Sequence, residues 1–207
     1  MKFLNLFILV LLFIAPAAHA GMDDGLYDPL PPEGAAFIRF INAGESDASA
    51  SAGGKDFGEW AHQSVSPYYV IGKGQAQITF GDHDADKDIE EGGFYSVILN
   101  DGLLILSDTP NADRTKSQIQ FYNLSDHGAL TLKTADGKIQ ITDPAAPNEN
   151  RVRPINAVKL ETVLYSGDAQ IGDISTINLK RGMVHSAFVF SGEDKILWVT
   201  NTTDTTK

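Results

Sequence analysis

The chain has 207 residues, no cysteine and a formal charge of −11, from 16 Lys and Arg against 27 Asp and Glu. So acidic a balance excludes a nucleic-acid binder, which needs a basic footprint to displace counterions from phosphate. The missing cysteines exclude disulfides, thiolate-held metals and a Cys nucleophile; with 21% charged and 43% hydrophobic residues, the chain is neither disordered nor polytopic.

Met1-Lys2, the apolar run from Phe3 to Ile14 and the small-residue end Ala18-His19-Ala20 follow the order of a secretory signal peptide. The run is 12 residues long, too short for a permanent membrane anchor. Residues 1–20 are therefore expected to be cleaved, leaving an exported chain that begins at Gly21. Residues 21–34, with Pro29, Pro31 and Pro32, predict an extended arm.

Beyond the arm, short alternating runs bounded by Gly, Asn, Asp and Pro predict antiparallel strands and no good helix. Asn100-Asp101-Gly102 joins two nearly all-apolar runs, Tyr95 to Leu99 and Leu103 to Leu106, which suits strands buried inside a sandwich. Asp136-Gly137 joins Ala129–Lys133 to Lys138–Thr142 as a second hairpin. The pattern also repeats. Phe37–Asn42 resembles Gln118–Asn123, and Gly93–Leu99 resembles Gly182–Phe188. The fold expected is all-β: two tandem antiparallel β-sandwich domains of about seven strands each, residues 35–110 and 115–203, divided near Thr109–Asp113. Charge divides at the same place. Residues 21–112 carry 16 acids and 4 bases, a net of −12, whereas residues 113–207 carry 11 of each.

Motifs for hydrolases, zinc proteases and phosphate-binding loops are absent, so no catalytic residue and no cofactor are assigned. His62, His83, His127 and His185 suit structural or solvated roles. Asp82, Asp84, Asp86 and Asp88 place carboxylates at every second position, a spacing that could crowd oxygens around Ca²⁺. The same pattern also suits the polar face of an edge strand, where like charges discourage pairing. Arg151 and Arg153 form a tight basic cluster that could meet carboxylates of a protein or a polyuronate, or simply line a strand edge. Trp60, Tyr68, Tyr69, Tyr95 and Trp198 could stack on sugar rings or fill the cores.

A family resemblance rests on Asp24-Gly25-Leu26-Tyr27, Pro31 to Arg39 running into Asn42-Ala43-Gly44, Asn123 to Asp126, Leu130 to Lys138, and Arg153 to Val158. These segments resemble the alginate biosynthesis protein AlgF family. The resemblance covers most of the chain from Asp24 to Val199 and leaves out the acidic run at Asp82–Glu91. It implies a periplasmic accessory protein required for O-acetylation of alginate. Its partners would be a membrane-bound O-acyltransferase and periplasmic SGNH-type acetyltransferases. It supplies no catalytic residues, and leaves three roles open: adaptor, alginate-binding module, or acetyl carrier.

Overall fold

The alternating runs form strands, and no helix occurs among the described residues, 32–206, of this computed structural model. The signal peptide expected at residues 1–20, and the arm as far as residue 31, lie outside the described residues. In chain order the first half contains β1 (Ala35–Asn42), β2 (Ala48–Ala52), β3 (Lys55–Trp60), β4 (Ser64–Val65), β5 (Tyr68–Gly72), β6 (Gly74–Phe80), β7 (His83–Ile89), β8 (Phe94–Leu99) and β9 (Leu103–Asp108). The second contains β10 (Ser117–Leu124), β11 (Leu130–Thr134), β12 (Glu149–Ile155), β13 (Lys159–Ser166), β14 (Ala169–Asn178), β15 (Val184–Phe190), β16 (Leu197–Thr200) and β17 (Thr203–Asp204).

Each half has an inner and an outer sheet. The inner sheets run β5-β1-β8-β9 and β12-β10-β15-β16; the outer ones run β3-β2-β6-β7 and β11-β13-β14. The two inner sheets share one topology, with antiparallel outer pairs around a central parallel pair, β1 with β8 and β10 with β15. The repeat in the sequence is thus a repeat in topology, and its one departure from antiparallel pairing sits at the same place in both copies. It also extends to single residues. Asn42 ends β1, Asn123 stands one residue before the end of the equivalent strand β10, and both are fully buried. Asn42 accepts the Gly44 N–H and donates to the carbonyls of Ser46 and Trp60. Asn123 accepts the Ser125 N–H and donates to the carbonyls of Gly128 and Ala145. Each amide side chain satisfies backbone groups that a turn would otherwise leave bare.

Strand periodicity divides the inner-sheet side chains between two faces. Ile38, Phe40, Tyr95 and Val97 face the first outer sheet and pack with Phe57, Ile78 and Phe80. Ile119, Phe121, Ala187 and Val189 face the second and pack with Leu132 and Leu164. The alternate residues do not face water. Ile41 and Ile98 meet Tyr122, Leu124, Phe188 and Phe190 in a third apolar cluster, so the inner sheets pack against each other along a seam. That is why β10 is buried at every position and β1 at all but one. The C-terminal β17 then returns to the first half and pairs in parallel with Tyr68 and Tyr69 of β5. The described residues form one compact unit.

The turns follow the sequence in one hairpin and only partly in the other. Asp101 takes φ 51° and closes β8 onto β9, as expected. At Asp136-Gly137 the turn forms, but the return limb at 138–142 makes only an isolated bridge, Lys133 to Gln140, because Ile141 dives into the second core. A register shift lies between Thr162 and Leu164 on β13, opposite Gly172 of β14. Gly172 has φ +68°, and a Cβ there would fall on the Asp194 carbonyl. Gly172→Ala is expected to cost roughly 2–3 kcal/mol, from the left-handed backbone and the displaced turn together. Urea denaturation measures it, and a loss under about 0.5 kcal/mol would show that the turn yields freely.

Candidate functional site

The same periodicity that buries the seam delivers polar groups to it. Arg39 of β1, Ser96 of β8, Asp108 of β9, Gln120 and Tyr122 of β10 and Ser186 of β15 all occupy seam-facing positions and are buried. The Arg39 guanidinium is 1% exposed and lies 3.7 Å from the Asp108 carboxylate. Its Nε donates to Ser96 Oγ at 2.7 Å, its Nη2 to the Tyr122 hydroxyl at 2.8 Å. Its Nη1 reaches Ser186 Oγ at 3.2 Å and Asn201 Oδ1 at 3.1 Å. Asp108 accepts hydroxyl protons from Tyr68 at 2.6 Å, from Ser96 at 2.5 Å and from Tyr122. The guanidinium also sits over the Tyr68 ring, 4.6 Å from its centroid, and near the rings of Tyr122 and Phe188.

Burial works against the Arg39 charge, but Tyr122, Tyr68 and Asp108 outweigh it and raise its pKa. Burial pushes the Tyr68 and Tyr122 phenols far above their usual range, with the Asp108 charge adding to it. Both therefore remain hydroxyl donors. A carboxylate with three O–H donors and a guanidinium with oxygen partners on both halves is a satisfied network, the condition under which a buried ion pair is tolerated. The nucleophile-type hydroxyls here, Ser96 and Ser186, are fully buried and bonded to Arg39, with no imidazole in their hydrogen bonds.

Beside the network, a cavity of about 260 Å³ opens along the seam, bounded by Phe94, Pro110, Met183, Val184 and the polar ends of Gln120 and Asn201. Gln118 and Gln120 fix its wall by donating to the Thr109 carbonyl at 2.6 and 2.8 Å.

The residues singled out from sequence fall elsewhere. Asp84, Asp86 and Asp88 lie on one exposed face of β7, the edge strand of the first outer sheet, opposite Thr79, Gln77 and Gln75; Asp82 is in the turn before it. Alternate strand residues are about 7 Å apart, so these carboxylates do not converge. Among the described residues, no group of three or more His, Cys, Asp or Glu gathers to hold a metal. The calcium reading gives way to the edge-strand one.

Arg151 and Arg153 share a face of the edge strand β12, but each is engaged. Arg151 pairs with Glu149 at 2.5 Å and donates to the Asn150 carbonyl, while Arg153 donates to the carbonyls of Gln140 and Ile141. These bonds tie down the 140–141 segment and the strand edge, while Arg153 stays exposed. Tyr68, Tyr69 and Tyr95 are buried and Trp60 and Trp198 pack on the two cores, so the aromatics are structural rather than an exposed sugar platform. His185 is 1% exposed; its Nε2 accepts the Lys180 N–H, leaving Nδ1 to donate to Thr200. Burial, then the nearby Lys180 charge, lower its pKa, so it stays neutral. His127 pairs with Asp194 at 2.8 Å, and His62 bonds the Gly44 carbonyl.

A family model described as alginate O-acetyl transferase AlgF matches residues 9–186. The alginate biosynthesis protein AlgF of Pseudomonas putida is 32% identical over 187 residues, covering 88% of this chain and 86% of that protein. That of Pseudomonas aeruginosa is 29% identical over 188 residues, covering 88% and 87%. Two solved domains of the P. aeruginosa AlgF are also similar. The C-terminal one is 34% identical and covers 42% of this chain and 99% of its own, with a TM-score of 0.38. The N-terminal one is 20% identical and covers 39% and 100%, with a TM-score of 0.36. This chain belongs to the AlgF family of alginate biosynthesis proteins.

Proposed function

We propose that the protein serves alginate O-acetylation as a non-catalytic adaptor in the periplasm, linking a membrane-bound O-acyltransferase to SGNH-type acetyltransferases. The observation that carries this reading is the state of the seam hydroxyls. Ser96 and Ser186 are fully buried and bound to Arg39, a cation that stabilises the fold but cannot accept their protons as a general base would. The exposed chemistry is charge instead. The acidic outer face of β7 carries Asp84, Asp86 and Asp88, suited to a basic protein surface. In the adaptor reading, affinity for partner enzymes is the activity.

Affinity purification of the full chain from a periplasmic extract is expected to retain an acetyltransferase, and retention should drop when Asp84, Asp86 and Asp88 are changed together to Lys. Intact-mass measurement after incubation with an acetyl donor is expected to show unmodified protein. An acetylated Ser or His that forms and turns over at a useful rate would overturn the adaptor reading in favour of an acetyl carrier.

A further inference from the structure

We propose that a second copy of this chain docks on β14, adding its own β14 in antiparallel register to the edge of the second outer sheet. The two outer sheets end on four strands, β3, β7, β11 and β14. The bare N–H and C=O groups of such an edge recruit another strand unless charge or cover blunts it. Lys55, Asp56 and Glu59 blunt β3, and Asp84, Asp86 and Asp88 blunt β7. Bridges from Gln140 and Ala145 cover β11. The remaining edge, β14, is ten residues long and carries a single charge, Asp173. Among the described residues, no strand pairs with its outer side.

The sequence of this edge specifies its occupant, because its chemistry is the same in both directions from Ile174. Ile171 and Ile177 lie three residues to either side, Gln170 and Asn178 four, and Asp168 and Lys180 six. An antiparallel pair of β14 strands turning about Ile174 therefore sets isoleucine on isoleucine and amide on amide. Just beyond the strand ends it sets Asp168 of each copy beside Lys180 of the other. Both are exposed, and neither is in an ion pair among the described residues. Turning the pair about Asp173 instead would oppose two carboxylates directly, which disfavours that register. A two-fold makes each of these contacts twice, as an isologous interface requires.

The fold supports the same contact. Thr162 pairs with Ser175 and Leu164 with Ile171, so residues 172–174 stand against Val163 alone. That bulge sits at the centre of the edge, where Ile174 is 56% exposed. The large apolar side chains exposed among the described residues, Ile139, Val152, Val158, Ile174 and Leu197, all belong to the second half. That half is also the one without net charge, so two copies meet there unopposed, whereas the first half at −12 repels its like. The acidic β7 belongs to the other outer sheet and stays free in both copies. The dimer stands apart from the adaptor reading and survives its failure, because it needs no partner enzyme.

The test is sedimentation velocity on the exported chain, beginning at Gly21, from about 1 µM to about 1 mM. A concentration-dependent shift from monomer to dimer is expected. Ile174→Lys sets two like charges at the two-fold and should weaken the dimer by roughly tenfold or more. Asp168→Lys or Lys180→Asp alone should weaken it by about threefold to tenfold. Both together should restore it to within about twofold of wild type, because the pairs re-form with their signs exchanged. The chain has no cysteine, so Ile174→Cys gives one thiol per copy. Across the two-fold the Cα atoms would stand about 4.5–5.5 Å apart, within disulfide reach. Ile174→Cys should therefore cross-link on mild oxidation, whereas Gln170→Cys, roughly 27 Å from its copy, should not. Circular dichroism and thermal midpoints confirm that each variant is folded. A monomer across the whole range would overturn the proposal. So would a dimer indifferent to Ile174→Lys, a charge exchange that restores nothing, or equal cross-linking at both positions.

Discussion

Asp108→Ala should cost the protein about 3–5 kcal/mol of stability, among the largest effects expected of any single substitution. It leaves the Arg39 guanidinium buried at 1% exposure without its counter-charge and strips three hydroxyls, those of Tyr68, Ser96 and Tyr122, of their acceptor. Arginine cannot shed its proton to relieve the cost. Arg39→Met removes the other partner and leaves the Asp108 carboxylate buried without its counter-charge, so a loss of similar size is expected. Urea denaturation measures both. Losses below about 1 kcal/mol in either variant would mean that water replaces the missing partner and that the seam is looser than its hydrogen bonds imply.

The all-β class and the internal repeat were legible because strand alternation and Asp-Gly or Asn-Asp-Gly turns act locally. Their physics is complete within ten residues. The seam was not legible, for a reason visible in β1 and β10. A run such as Phe37-Ile38-Arg39-Phe40-Ile41-Asn42 shows which residues share a face, but not what lies against that face. Arg39 and Gln120 look like the solvent side of a half-buried strand until another inner sheet covers them. Arg151 and Arg153, one residue apart and conspicuous in the sequence, bond nearby carbonyls and Glu149, partners that the sequence does not place. Carboxylate spacing at Asp82–Asp88 was ambiguous between an ion site and an edge strand. The choice was made by β6, whose seven-residue pairing straightens the segment and keeps its oxygens apart.

Separating the halves tests how the seam contributes, and the expected damage is unequal. Residues 32–112 and 113–206 each retain a two-sheet core, so both segments, containing the sandwiches proposed at 35–110 and 115–203, should give dispersed backbone NMR spectra on their own. What each loses is the third apolar cluster. The first half uncovers Ile41 and Ile98 as fully buried members, with Leu104 and Leu106 partly so; the second uncovers Tyr122, Leu124, Phe188 and Phe190, each at most 4% exposed in the whole chain. At about 1.5–3 kcal/mol for each large side chain, the second half forfeits on the order of 6–12 kcal/mol, comparable to the entire stability of a domain. The isolated second half should thus melt well below the first and bind a hydrophobic dye. Adding the first half should raise its midpoint and displace the dye, because mixing restores both the apolar contact and the Arg39–Asp108–Tyr122 network, and lets β17 return to β5. Arg39→Glu in the first half should abolish that rescue by setting two carboxylates against each other in the seam. Equal stability of the two separated halves, or mixing without any rise in midpoint, would show that the inner sheets touch without stabilising each other.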